Sequence, residues 1–550
     1  MGGDGQKIRT YLDEVPEDVK EELSKAWGKR KKDTYAAAEE HGIKIEEGES
    51  FNKVVVMELE PGFYHLASGI VSTKDISPEK GNIGDLCSSL INDMFKKAES
   101  LGCVPIACSN VCDWDSKYAK DIGANVFLRK AVIDECIENK LILTGGETAN
   151  LGDQVRQKGM SWMFTLLSRY NGSSKPESDF EYSERMDHIL QGTFKSIADK
   201  SSFEIVKING APMIHIKEKG KFIMTADGTG SKSIVCYQVD HRTDDEDTIA
   251  MGADDATRDG AFPIAASIGM HSEDQRGVDE QIANMKRSGD KHMLPLVGSV
   301  HHVSPDVNTY TMNGVIFSQV REESAQVGKI ITPGLGLVVL YEEQRSNGIT
   351  LQRRIFEDAF GKEWYKVKTL DAFRKLNDKL GGKYSGLPLE KEERTLGELV
   401  AKASTPYFRT DSMMPKDIMD TVRCRINVSS GGLIGKTRRL LQPFDVGANY
   451  FNLFEAPSLV LLLQMASQTG GGVVPDEVAY YTWGCGQGAV IGTTDPDTVK
   501  GYYQANGINA KVAGVTTDYQ EVCVTSRCLD STQQKDPLVL RHKYTDKPLG

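Results

Sequence analysis

Apolar positions along the chain follow two rhythms that alternate. Val54-Val55-Val56-Met57 is a short unbroken apolar run, the pattern of a buried strand. From Ile83 to Ser100 apolar residues recur at helical spacing and predict an amphipathic helix; Ala131 to Asn139 predicts another. Leu141 to Leu143 reads as a short strand running into Gly145-Gly146-Glu147-Thr148-Ala149, a flexible loop by its glycines. Farther on, Phe222-Ile223-Met224-Thr225-Ala226 predicts a strand that enters Asp227-Gly228-Thr229-Gly230-Ser231-Lys232, followed by a helix with Ile249, Ala250 and Met251. Alternating strand and helix signals predict an α/β (α+β) fold.

The same order occurs twice. Asp85-Leu86-Cys87-Ser88-Ser89-Leu90-Ile91-Asn92-Asp93 matches Asp247-Thr248-Ile249-Ala250-Met251-Gly252-Ala253-Asp254-Asp255, and each stretch continues to a proline, Pro105 and Pro263. Self-similarity of this kind predicts two copies of one unit. The chain divides into a polar helical extension at 1–34, a first unit at 35–175, a second at 176–358, a charged helical connector at 359–400 and a carboxy-terminal domain at 401–550. Asn171 to Ser183, rich in small, polar and acidic residues, reads as the linker between the copies. The extension ends in Lys29-Arg30-Lys31-Lys32, read as a solvated last helical turn where cations suit the dipole. Ala489-Val490-Ile491-Gly492 predicts a strand in the last domain, and the chain beyond about Ser531 reads as a mobile polar tail.

Charge narrows the function. A net charge of -12 argues against nucleic acid or an anionic membrane as partner, because both need a basic face. The longest apolar run, Ser458 to Met465, falls far short of the roughly 20 residues that span a bilayer. Met1-Gly2-Gly3-Asp4 opens a polar segment without the apolar core of a secretory signal, so a cytoplasmic location is expected. Cys103, Cys108 and Cys112 lie close together, but no fourth ligand arrives at zinc-like spacing, and they read as ordinary thiols.

Two motifs suit phosphate chemistry. Asp227 to Lys232 follows a strand, and its glycines let backbone amides approach phosphate oxygens while the acid holds magnesium and the lysine neutralises charge. Gly145 to Ala149 offers a second carboxylate and hydroxyl beside glycines. Asp254-Asp255, and Asn92-Asp93 in the other copy, sit within otherwise apolar helical stretches, where a charge is costly unless paired or bound to a cation.

Together these motifs resemble the aminoimidazole ribonucleotide (AIR) synthetase family, whose fold is shared with formylglycinamidine synthetase, selenophosphate synthetase, thiamine phosphate kinase and a hydrogenase maturation protein. More particular to AIR synthetase are Ser346-Asn347-Gly348-Ile349-Thr350-Leu351, Gly431-Gly432-Leu433 ahead of Arg438-Arg439, and Thr482-Trp483-Gly484-Cys485-Gly486-Gln487-Gly488. The resemblance runs in order from Tyr35 to about Thr517. It implies two tandem domains forming an intramolecular pseudo-dimer barrel plus one carboxy-terminal α/β domain, in a monomer or a homodimer. It also implies ATP, Mg2+ and potassium as ligands, a small phosphoribosyl substrate, and ring closure of formylglycinamidine ribonucleotide through a phosphorylated formyl oxygen. A different ATP-dependent amide- or formyl-activating enzyme of the superfamily and a non-catalytic nucleotide-binding regulator are the alternatives.

Departures from the family pattern are complementary. The first unit has Gly69-Ile70-Val71-Ser72-Thr73-Lys74 where the family has Asp-Gly-x-Gly-Thr-Lys; the second has Gly298-Ser299-Val300-His301 where the family has Gly-Gly-Glu-Thr. One composite ATP site is therefore expected, from Asp227, Gly228, Gly230, Ser231 and Lys232 with Asn92, Gly145, Gly146, Glu147 and Thr148, and with Asp93, Glu147, Asp227 and Asp255 on the metal; the competitor is two damaged sites. Asp227, Lys232 and Asn427 take the catalytic positions, and Ser346, Asn347, Gly348, Thr405, Ser430, Gly431 and Gly432, near Lys436, take the substrate. Asn427 stands where the family has a histidine, and Ser404-Thr405-Pro406 where it has Pro-Thr-Arg. His301 and His302 read as solvated.

Overall fold

Among the described residues as far as Val320 lie twelve strands: β1 (Lys44–Glu47), β2 (Val55–Leu59), β3 (Gly62–Thr73), β4 (Cys103–Trp114), β5 (Ile142–Asn150), β6 (Met160–Tyr170), β7 (Phe203–Ile208), β8 (Ala211–Ile216), β9 (Gly220–Gly228), β10 (Ala261–Ser272), β11 (Leu296–Val303) and β12 (Tyr310–Val320). The computed structural model describes residues 31–47, 55–73, 82–114, 122–150, 160–173, 203–240, 244–273, 281–320 and 329–546, apart from 282–283, 286, 290, 293, 304–308, 388, 390–391 and 471. The side chains of 47, 72–73, 82–83, 114, 122–129, 147–150 and 244 lie outside the description. So do the extension before Lys31 and nearly all of the expected linker.

The strands form two six-stranded mixed sheets, ordered β5-β4-β6-β3-β8-β7 and β11-β10-β12-β9-β2-β1. Read in that order they correspond strand for strand. In each, the first pair is parallel and the others antiparallel. Both also slip register at the same place, between Pro105 and Ala107 and between Pro263 and Ala265. Proline lacks the N–H that a ladder needs and is accommodated at a bulge, so the prolines matched in the repeat mark one shared kink.

The two copies exchange strands, which corrects the boundaries expected at 35–175 and 176–358. β2 pairs with β9, Met57 opposite Phe222, and so joins the second sheet. β8 pairs with β3, Gly62 opposite Ile216, and so joins the first. The inner faces share one core, in which Leu66, Val111, Met163 and Leu167 meet Met57, Met224, Val315 and Phe317. At the rims β5 lies against β9, and β11 against β3.

Helices cover the outer faces. On α1 (Asn82–Ser100), Cys87, Ile91, Met94 and Ala98 are buried at helical spacing. The helix at Ile122–Glu138, α2, packs beside it. After β9 come α3 (Lys232–Gln238) and α4 (Asp244–Arg258), and α4 packs on β9, β10 and β12 through Ile249 and Ala253.

The carboxy-terminal sheet begins earlier than expected. Its order is β14-β16-β13-β17-β15-β18-β19, from β13 (Gly336–Tyr341), β14 (Val422–Asn427), β15 (Gly447–Tyr450), β16 (Gln487–Thr493), β17 (Ala510–Thr517), β18 (Glu521–Thr525) and β19 (Val539–Lys543). β13 sits between β16 and β17, so the boundary at 358 falls too late. Nor is 359–400 a mere connector. Trp364, Phe373, Leu376, Tyr384 and Leu396 share a core with Leu337, Val339 and Leu463, and with Ile355 and Phe356 of α5 (Ile349–Phe360).

Three local expectations change. Gly145 to Ala149 is no loop but the body of β5, in parallel register with Ser109 to Asp113. Lys31 is not solvated; it is 5% exposed and donates from Nζ to the Thr144 carbonyl at 2.6 Å. The tail contains β19, paired with β18. All ten cysteines are buried. Among the described residues no helix is long and apolar enough to cross a membrane.

Candidate functional site

Where β9 ends, acids from the two copies come together. Asp227 and Gly228 close the strand, against β5 with Gly145, Gly146, Glu147 and Thr148. Asp113, from the end of β4, is buried and accepts a 2.8 Å hydrogen bond from Asn313 Nδ2 of β12. Burial pushes the Asp113 carboxyl up to about 7; the bonds from Asn313 and Thr311 oppose this, and the neighbouring Asp227 charge adds to it. Gly228 makes room for the bridge, since a Cβ there would stand 2.1 Å from Asn313 Oδ1. Asp113 escaped the sequence motifs; its one signal is an acid ending an otherwise uncharged strand.

Among the described residues, the related junction of β3, β10 and β11 has no such acids. β3 pairs Gly69 with Phe164 and β9 pairs Asp227 with Gly314, and those partners face Asn110 and Ile268, equivalent residues of β4 and β10. Gly69 therefore stands where Asp227 does. By the same registers Met163 replaces Asn313, His271 replaces Asp113 and Val300 replaces Glu147. Ser161 Oγ lies 2.6 Å from His271 Nδ1, and burial lowers His271 to about 3, which keeps the ring neutral. His301 and His302 are exposed on β11.

Among the described residues, the carboxy-terminal domain packs on the second copy, at α3, α4 and β10. Lys232 and Asp247, both 0% exposed, pair at 2.7 Å. Lys232 also donates to the Lys402 carbonyl, and Asp247 accepts from Ser404 N at 2.9 Å. Ser346 Oγ donates to the Thr229 carbonyl at 2.9 Å, and Ser231 Oγ meets Thr350 Oγ1 at 2.9 Å. The motifs Asp227 to Lys232 and Ser346 to Leu351 thus interlock. Lys232 faces inward as a clasp, and its ammonium is not presented to a phosphate in this structure.

A second set of contacts runs along α4. Asp254 accepts from Arg345 at 2.8 Å and from Phe408 N at 2.7 Å. Glu342, 3.3 Å from Arg345, accepts from Thr405 N at 3.0 Å and Oγ1 at 2.9 Å, so Thr405 is engaged within the protein. Asp255 accepts from Arg258 at 2.8 Å and from Asn427 Nδ2 at 2.9 Å. Asn347 Nδ2 donates to the Thr482 carbonyl at 2.9 Å, and Gly348 caps α5 at φ 66. Ser430 is exposed, and Gly431-Gly432 open α6 (Gly432–Leu441) with Lys436 one turn in. Burial pulls the Lys436 amine down to about 8, against the opposing charge of Asp255.

Glu342 makes this contact sensitive to pH. Burial raises its carboxyl from 4.5 to about 7, despite Arg345 and Thr405. A carboxyl raised on folding contributes stability that is whole below its unfolded pKa and lost as pH rises through the folded one. Thermal unfolding is expected to show the wild type losing on the order of 3 kcal/mol between pH 4.5 and 7 through this group. Glu342→Gln should flatten that slope; an unchanged slope assigns it elsewhere.

The expected composite set assembles in part. Asp227, Gly145 and Gly146 meet at one junction, with the backbone of Glu147 and Thr148. Asn92 and Asp93 do not join them: both are exposed on α1, and Asp93 is 66% exposed beside Lys96 at 3.6 Å. Asp255 has its charge answered by Arg258. Magnesium is commonly held by one or two carboxylates together with substrate phosphates, and Asp113 with Asp227 fits that donor set. No group of three or more His, Cys, Asp or Glu side chains among the described residues is arranged to hold a metal without a ligand's help.

No protein-family model and no curated protein matches the chain. Among solved structures it is similar to Thermotoga maritima PurL complexed with FGAR, at 11% identity and a TM-score of 0.36 over 66% of this chain and 52% of that one. The same PurL complexed with ATP matches at 10% identity over 67% of this chain and 52% of that one. The hydrogenase maturation protein HypE matches at 11% identity and a TM-score of 0.36, over 59% of this chain and 90% of that one. This chain therefore spans about half the length of the PurL structures it matches.

Proposed function

We propose that the protein is an ATP-dependent enzyme of the AIR synthetase type, in which two fused copies act as an internal pseudo-dimer barrel with one working nucleotide site. The observation that carries this is the asymmetry of the two junctions. Asp227 of one copy faces Asp113 and β5 of the other, while the equivalent junction holds Gly69, Met163 and His271. The carboxy-terminal domain roofs the acidic junction's own copy, where Ser346 holds the Thr229 carbonyl.

When bound, magnesium would offset the charge of the ATP phosphates and stabilise the charge that develops as one is transferred. Asp113 and Asp227 are the side chains that would hold it. Gly145, Gly146 and Gly230 put no side chain over their backbone, while the Gly228 N–H is taken by Asp227 Oδ1 at 2.7 Å. Lys232 and Asp247 fix the approach of the carboxy-terminal domain, which sets the distance between nucleotide and substrate. Lys436, with its amine near 8, is suited to hand on a proton at neutral pH.

The proposed substrate is formylglycinamidine ribonucleotide, closed to aminoimidazole ribonucleotide after transfer of phosphate to its formyl oxygen. A second acceptor of the same chemical kind is favoured by one observation: Asn427, in the family's histidine position, is an amide held on Asp255 and cannot relay a proton. Purified protein with ATP, magnesium and potassium should release ADP and aminoimidazole product in equal amounts when formylglycinamidine ribonucleotide is added. ADP release only with another formyl or amide acceptor would establish the second reading, and ATP binding without any turnover would sink both.

A further inference from the structure

The two parallel strand pairs each contain a bulge, and the bulges are held differently. β5 slips against β4 at Thr144, between the pairs Cys108–Leu143 and Ser109–Gly145. β11 slips against β10 at the equivalent Val297, between Ala266–Leu296 and Ser267–Gly298. A bulge re-aims the residues that follow it. In β5 those residues are Gly145 and Gly146, on the strand laid against β9.

Thr144 is gripped from two sides. Its Oγ1 donates to the Cys108 carbonyl at 2.9 Å, and its own carbonyl accepts from Lys31 Nζ at 2.6 Å. Thr34 Oγ1 accepts from Leu143 N at 3.1 Å and donates to the Lys31 carbonyl at 2.8 Å, which ties the two anchors together. Lys31 and Thr34 are 5% and 1% exposed, in a turn that packs on β5 ahead of β1. Polar groups so buried are costly unless bonded, so these bonds fix the turn on the strand. Val297 has no hydroxyl with which to hold its bulge.

The grip sets the next peptide. The Gly145 carbonyl is met on the β4 side by Ser109 Oγ at 3.3 Å and Asn110 Nδ2 at 3.4 Å. In a trans peptide the N–H points opposite to the carbonyl, so the Gly146 N–H turns away from β4, toward the open edge of β5. Among the described residues nothing lies within 4 Å of a Cβ placed on Gly145, whereas one on Gly298 would stand 2.6 Å from the Leu66 carbonyl. Space is kept beside the held bulge and filled beside its twin.

We infer that Lys31 and Thr34 are positioning residues of the nucleotide junction: by holding the Thr144 bulge they aim the Gly146 N–H at a phosphate oxygen. The inference rests on the reading above for the nucleotide at Asp227, and it brings into that site a segment that precedes both copies. A donor already aimed need not be reoriented when the ligand arrives.

The test uses the full chain. In Lys31→Met the KM for ATP should rise about tenfold with kcat within threefold, the mark of lost binding, and Lys31→Arg, which keeps a donor to the carbonyl, should restore most of it. Without nucleotide, amide hydrogen exchange should quicken in Lys31→Met for peptides covering 143–147 and stay unchanged for those covering 296–300. Thr34→Val, close in shape, should produce both effects and Thr34→Ser neither, with circular dichroism confirming the fold of each variant. A lower thermal midpoint with the KM for ATP unmoved would make the turn a merely structural strap and overturn the assignment, as would unchanged exchange at 143–147. Failure of the enzymatic reading shows in the wild type, which would then not turn over ATP, and the assignment would fall with it.

Discussion

Lys232→Met is expected to destabilise the protein by about 3–5 kcal/mol, the usual cost of removing one member of a buried ion pair. Asp247 would be left at 0% exposure with its cation gone, keeping only the donors of Ser404. The penalty comes mostly from the stranded charge, not from the lost attraction. The double variant Lys232→Met/Asp247→Asn should therefore recover much of the loss. Denaturant unfolding of the two variants checks this, and a single variant as stable as wild type would show that the clasp is not what joins α3 to the carboxy-terminal domain.

Asp227→Asn should lower ATP turnover by roughly two to three orders of magnitude, the range for losing one preorganised electrostatic partner, with the thermal midpoint little changed. Asp227 is half-buried at the rim of β9, so its loss opens no cavity. Asp93→Asn, on α1 of the first copy, should change turnover less than twofold, because Asp93 is 66% exposed beside Lys96. Steady-state ADP release measures both. A large loss at Asp93 together with a small one at Asp227 would reverse the assignment of the working junction.

The contrast between these two aspartates shows how far pattern reaches. Asn92-Asp93 and Asp254-Asp255 occupy matching places in matching helices, and the strand orders and shared bulges agree that the copies are related. Periodicity was a sound guide to α1 and β9 because burial on one face imposes it. It misjudged Gly145 to Ala149, since two glycines in succession suggest a loop, whereas here Gly146 sits in a strand with its missing Cβ position 2.7 Å from Asn110 Nδ2. It also missed Asp113, whose significance arises only when β4 of one copy meets β9 of the other.

Local composition and repetition determined the α/β character, the duplication, and the places of the Asp227 to Lys232 and Ser346 to Leu351 motifs, because these are written in neighbouring residues. The exchange of β1 and β2 for β7 and β8, the domain edge before β13, and the choice of one junction over its twin belong to tertiary structure alone. They depend on backbone pairing and burial between residues a hundred or more positions apart. The carboxy-terminal domain packs on one of two related helices, so Asp254 is buried while its counterpart Asn92, with Asp93, lies exposed.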